Sequence, residues 1–240
     1  MTASAAQRCA RLAGVMYLAI ILLGLFGEMA VRATLVVSGD PIATAHAISA
    51  SPLLWRAGIA GDLLMHVLDV PVTVILYVLL RPVNRHLALL ATLINLVQTA
   101  VLAANKLNLL VPLFMLDDVG YLQAFSVEQR HVLSYLAIKA HGFGFGIGLI
   151  FFGVACLMRG HLLFHSGYFP RVLGVLLALA GLSYLVNSFA LLLAPTLASA
   201  IFPGILVPAF VGELSLCLWL IVKGVRAGPW QQAARLHAVP

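Results

Sequence analysis

LLWRAGIAGDLLMHVLDVPVTVILYVLL, residues Leu53–Leu80, decides the fold. The stretch is long enough to cross a bilayer, which takes about 20 residues of helix. It nevertheless contains Asp62, His66 and Asp69. An ionisable group at mid-bilayer costs at least ~2.5–3.5 kcal/mol. The three residues are spaced i, i+4, i+7, which puts them on one stripe of a helix. Such a helix must turn its stripe toward other helices, so a bundle with a polar interior is expected.

The rest of the chain agrees. Its 240 residues are 62% hydrophobic and 9% charged, with a mean hydropathy of +1.07. Soluble domains are about a quarter charged. A soluble enzyme, a nucleic-acid-binding domain and a disordered regulator are excluded on that ground. Apolar runs at 12–37, 53–80, 87–116, 127–158, 171–194 and 202–222 make six spans in a single all-α membrane domain over residues 1–240. Period-two alternation, which a β-barrel needs, is not sustained anywhere. No internal repeat is visible, and spans one to three do not align with spans four to six as an inverted repeat would.

The charges orient the chain. Arg8, Arg11, Arg81, Arg85, Arg159, Arg171, Lys223, Arg226 and Arg235 fall on one side of the expected spans, and none of the eight acids does. The other side carries Asp40, Asp117, Asp118 and Glu128 against Arg130. By the positive-inside rule both termini are cytoplasmic, and the expected location is a bacterial plasma (inner) membrane. The net charge of +6 reads as a topology signal, so no nucleic-acid partner is expected. Two arginines before an apolar run resemble a signal peptide. The helix pattern continues to Val37, so a retained span is expected. Cys9, Cys156 and Cys217 show no metal or disulfide spacing and read as small apolar side chains.

Between spans one and two, Asp40 as N-cap and Pro41 at the first helical position predict a short interfacial helix to about Ala50. Trp55 is expected at the outer aromatic belt. Ser126-Val-Glu-Gln129 has capping-box spacing and starts span four. The link RGHLLFHSGYFPRVLG is expected to be a cytoplasmic loop ending at Pro170, the first helical residue of span five. Pro195 and Pro203 bound a tight outer hairpin.

Polar groups recur in every span. Glu28 and Arg32 are i,i+4 in span one, an arrangement suited to an ion pair. Arg56 lies near the outer end of span two and is a second candidate partner for Asp62. Span three has Asn95, Gln98, Asn105 and Lys106; span four, Lys139 and His141; span five, Tyr184 and Asn187; span six, Glu213. At 1.5 Å per residue, Asp62 lies ~12 Å, His66 ~18 Å, His141 ~20 Å and Glu213 ~17 Å below the outer ends of their spans. A shared cavity lined by Asp62, His66, His141 and Glu213, opening outward or into the outer leaflet, is expected. Lys139 and His141 point to different sides, so Lys139 is expected to pair with Glu28 or an external acid. His141 continues into Gly144 and Gly148, a ridge for close helix packing. Glu213 has no basic neighbour on its own helix, and must find a partner elsewhere or stay protonated.

Several segments carry a family resemblance: ARLAGVMYL (10–18) running to GEMAVR (27–32), SGDPIATAHAI (38–48), RAGIAGDLL (56–64) with DVPVTVILYVLLRPV (69–83), the run from His141 to Val186 that includes SGYFPRVLG, and GELSLCLWLIVKGV (212–225). Their order resembles a bacterial membrane-protein family catalogued as domain of unknown function 4386. The resemblance implies a six-helix membrane fold and assigns no residue a catalytic role.

Asp62, His66, Asp69, His141 and Glu213 are therefore the candidate catalytic groups. Glu28, Arg32, Arg56, Lys106 and Asn187 are candidate binding groups. Acids and histidines at one depth suit acid–base chemistry, so the first expectation is a membrane-embedded enzyme acting on a lipid or isoprenoid. A proton-coupled carrier or small-molecule binder is the alternative, weakened by the missing repeat and by a cytoplasmic half read as dry. A structural or sensory protein with a packing-only network is the third reading. The expected partners are the bilayer and a lipid-like or small hydrophobic ligand. Two histidines and a carboxylate suit zinc or iron, but without a tight His motif no metal or other cofactor is expected.

Overall fold

A computed structural model describes residues 2–117 and 120–236, with the side chain of residue 236 left out; Asp118 lies outside the described residues. All regular structure among them is helical. Six helical segments are long and apolar enough to cross a membrane: Ala3–Leu35, Pro52–Leu80, Arg85–Met115, Val127–His165, Arg171–Leu193 and Gly204–Val222. The chain is a multi-pass membrane protein in contact with the lipid bilayer.

In chain order, α1 (Ala3–Leu25) passes into a π-helical stretch, Phe26–Arg32, and a last turn, Ala33–Leu35. Helix α2 (Pro41–Ala50) follows, then α3 (Pro52–Leu80), α4 (Arg85–Asn105) and α5 (Leu107–Met115). Helices α4 and α5 form one span interrupted at Lys106. Next come α6 (Val127–His165), α7 (Arg171–Leu193), the short α8 (Pro195–Ile201), α9 (Val207–Val222) and α10 (Ala227–Leu236).

Local chemistry explains the boundaries. The Asp40 carboxylate accepts from the Ala43 N–H at 2.9 Å, and Pro41 opens α2, the interfacial helix expected there. Ser126 and Gln129 form the reciprocal capping box at the start of α6. Helix α6 then departs from expectation: it continues seven residues past Met158, to His165. Gly160 does not end it, because that glycine is a packing residue. The stop is Gly167, with φ +72° just beyond the Ser166 C-cap, where only glycine is unstrained. Pro170 is the N-cap of α7 and Arg171 its first residue. The outer hairpin between spans five and six contains α8.

The start of α1 and the segment after α9 meet at one end of the bundle. The Gln7 side chain donates to the Lys223 carbonyl at 2.8 Å and accepts from the Val225 N–H at 3.0 Å. Tyr168 and Trp230 both donate to the Leu79 carbonyl, at 2.7 and 3.1 Å. That carbonyl sits in the last turn of α3, where no intrahelical donor remains. At the opposite end Val31, Leu35, Ile48, Ile59 and Leu109 pack around Trp55. Trp55 is only 1% exposed and donates to the Leu109 carbonyl at 2.8 Å. It is a core residue, which corrects the expected place in the lipid belt: burial with a satisfied N–H outweighs the interfacial preference.

Helices α6 and α7 are joined through glycines. A Cβ on Gly174 would stand 2.6 Å from the Gly160 carbonyl oxygen and 2.6 Å from the Phe164 nitrogen. Backbone on both sides cannot yield, so a side chain there must push the helices apart. We expect Gly174→Val to lower stability by about 1–3 kcal/mol or more. Gly142→Val, where nothing lies within 4 Å, should leave the unfolding temperature in detergent unchanged. Similar losses in both variants would show that the glycine seam is not the cause.

Candidate functional site

The π-helical stretch of span one builds the outer part of the site. π-Turns recur at functional sites because they re-aim side chains within a helix. Here the turn carries Glu28 and Arg32. Arg32 Nε donates to Glu28 Oε2 at 2.8 Å, and Nη1 donates to Asp62 Oδ2 at 2.7 Å. Gly27 makes the approach possible, since a Cβ there would collide with the Asp62 carboxylate and the Arg32 guanidinium.

Asp62 holds a second cation. Lys106 Nζ donates to the same Oδ2 at 2.8 Å. Lys106 is only 2% exposed, and the break between α4 and α5 places it. Its ammonium lies 3.2 Å from His141 Nε2. An ammonium can only donate, so that imidazole nitrogen accepts. The Asn105 side chain donates to the His141 carbonyl at 2.8 Å and ties α4 to α6. Gly144 and Gly148 allow this contact, because Asn105 and Leu102 fill the space a Cβ would need. His66 faces the same group and interacts electrostatically with Lys106 and Asp62. It is buried, and its Nε2 has no hydrogen-bond partner among the described residues.

A second group lies two turns along α3. Asp69 accepts from Asn95 Nδ2 at 2.7 Å and from the Thr99 hydroxyl. Arg159 Nη1 donates to Asn95 Oδ1 at 2.5 Å, and Nη2 donates to Thr73 Oγ1 at 3.1 Å. Arg159 is buried. The charge therefore sits inside the bundle, not in the cytoplasmic loop where the sequence reading placed it. With Arg159, Asn95, Asp69 and Thr73 in the half nearer the termini, that half is not dry. The charge bias of that end rests on the other eight basic residues.

Glu213 forms a third group. Its carboxylate accepts from the Tyr17 hydroxyl at 2.8 Å and from the Tyr184 hydroxyl. It interacts electrostatically with Asp69 and Arg159. Cys156 is buried.

The structure thus gathers Glu28, Arg32, Asp62, His66, Lys106 and His141. It sets Asp69 deeper and holds Glu213 apart, among tyrosines. Asp62 pairs with Arg32 and Lys106, and Arg56 is exposed with no described ion pair. Lys139 lies 5.5 Å from the Tyr135 ring, not on Glu28. Asn187 is half-buried and makes no described side-chain hydrogen bond. Among the described residues, no three His, Cys, Asp or Glu gather as a metal-binding group.

Arg159 was the main residue that sequence reasoning missed. A signal existed: it lies 18 residues, or five helical turns, from His141, on the same face. Neither proline nor a turn cluster separates the two. Tyr17 had no comparable signal, since an aromatic residue in an apolar span reads equally well as packing.

No solved structure matches the chain. An uncharacterized protein of Archaeoglobus fulgidus is 28% identical over 168 residues, covering 69% of this chain and 83% of that protein. The family model described as domain of unknown function (DUF4386) matches residues 12–224, all six spans and the three polar groups between them. By that match the chain belongs to the DUF4386 family.

Proposed function

We propose that the protein is a proton-coupled carrier of a small or lipid-like solute in a bacterial plasma membrane, with both termini cytoplasmic. One observation carries this reading. Asp62, His66, Asp69 and Thr73 form a single buried-side stripe on α3, spaced four, three and four residues apart. The stripe begins at the Glu28–Arg32 pair, whose Glu28 side chain is 64% exposed. It ends at Arg159 and comes within electrostatic reach of Glu213. Chains of Asp, Glu and His in membranes are the groups of proton relays.

In this scheme Arg32, Lys106 and His66 form the outer binding group, and Asp69 and Glu213 exchange protons. Glu213 takes the neutral form during the cycle, held by two tyrosine hydroxyls that both donate and accept. Acid–base catalysis on a lipid or isoprenoid is the second reading. It is favoured by the unpartnered His66 Nε2 beside Asp62, a group free to accept a proton from a substrate.

The test is proton flux in reconstituted vesicles containing a trapped pH dye, with potassium and valinomycin clamping the potential. Wild-type vesicles should collapse an imposed pH gradient faster than protein-free ones once an extract of bacterial small molecules and lipids is added as the source of solute. Asp69→Asn and Glu213→Gln should bring the rate at least 10-fold closer to the protein-free rate. Wild-type flux equal to that of protein-free vesicles in the presence of the extract would overturn the carrier reading.

A further inference from the structure

The three polar groups leave the lipid-facing surface at the terminal end unexplained. There α6 and α7 bound an open groove of about 320 Å³. Its apolar walls include Leu157, Phe164, Val175 and Leu179. Gly160, Gly174 and Ala178 form its floor, where the two backbones pack in contact, so the groove is a crease over the α6–α7 seam and not a gap between the helices. On each helix the lining extends over nine residues, about 12 Å. Val175 and Leu179 are 45% and 47% exposed, so the groove opens sideways, toward lipid.

Its rim is cationic and polar. His161 and His165 line the groove and are exposed. The His165 Nδ1 lies 2.9 Å from the His161 carbonyl oxygen, which accepts from it, so Nε2 remains available. Arg171 places its guanidinium 5.5 Å from the centre of the Phe164 ring. A guanidinium held over an aromatic face keeps its edge N–H donors for a planar or phosphate acceptor. No acid occurs between Glu128 and Glu213 in the sequence, so nothing on these two helices near the rim opposes an anion.

We propose that this groove is a binding site for an anionic phospholipid, with an acyl chain lying along the crease over the α6–α7 seam and the phosphate at Arg171, His165 and His161. The charge complementarity selects the occupant. A zwitterionic lipid can fill the apolar groove equally well but carries its own cation to the rim. Basic pockets between transmembrane helices on the cytoplasmic side hold anionic headgroups in the same way. The site is separate from the α3 stripe and stands whatever that stripe does.

Native mass spectrometry of the full-length protein, released from mixed micelles with equal phosphatidylglycerol and phosphatidylcholine, tests it. Wild type should retain phosphatidylglycerol at least 5-fold over phosphatidylcholine. The double variant His165→Ala/Arg171→Ala should lose that preference. Leu179→Trp, which fills the groove from its exposed wall, should lower retention of both lipids. Arg81→Ala, an exposed residue at the same end, is the control and should behave as wild type. Circular dichroism melting checks that each variant is folded. Equal retention of the two lipids by wild type would overturn the proposal. So would an unchanged preference in the folded double variant, or an equal loss in Arg81→Ala.

Discussion

Asp62→Ala should cost about 3–5 kcal/mol of stability, the range for removing one partner of a buried ion pair. Asp62 is 1% exposed and accepts from both Arg32 and Lys106. Its loss leaves two cations facing each other, and Lys106 is itself buried at 2% exposure. That ammonium then keeps only the His141 imidazole as a described hydrogen-bond partner. Glu28→Ala removes the other carboxylate on Arg32, but that side chain is 64% exposed. Exposed ion pairs contribute roughly 0–1 kcal/mol, so Glu28→Ala should be close to neutral. Thermal unfolding of the two purified variants in one detergent measures the contrast. Equal shifts would mean that the Asp62 pairings do not hold the outer half together.

Arg159→Ala should also be damaging, at about 1–3 kcal/mol, because it leaves a buried acceptor without its donor. The guanidinium bridges Asn95 on α4 and Thr73 on α3 from its place on α6. Removing it leaves Asn95 Oδ1 without this donor and takes away the positive charge that acts on Asp69. Arg159→Lys should recover only part of the loss, since one ammonium cannot reproduce two divergent guanidinium bonds. Arg85→Ala, an exposed arginine at the start of α4, is the comparison. If Arg159 served only as a topology charge, Arg159→Lys would be fully tolerated, and unfolding temperatures would show it.

The spans, the Asp40–Pro41 and Ser126–Gln129 caps and the α3 stripe were legible because each depends on local periodicity or a cap a few residues long. Which side chains meet was legible only where spacing along one helix decides it. Glu28 and Arg32 meet, as i,i+4 residues should, but only the fold shows that Arg32 also reaches Asp62. Depth along a span places a residue to within about a turn. Rotation of one helix against another depends on packing between them. That is why Glu213, matched in depth to His66, lies instead with Tyr17 and Tyr184. Gly160 and Arg159 show a second gap. A glycine beside a charge reads as a loop, yet this glycine brings α7 close and this charge points into the bundle.

The central claim is that Asp69 and Glu213 exchange protons within the bilayer. Infrared difference spectroscopy of the reconstituted protein, titrated with acid and base, reads the carboxyl stretch of protonated acids directly. The account predicts a protonated-carboxyl band that grows on acidification, with separate components missing in Asp69→Asn and in Glu213→Gln. A band that does not change across the titration, or one that survives unaltered in both variants, would contradict it.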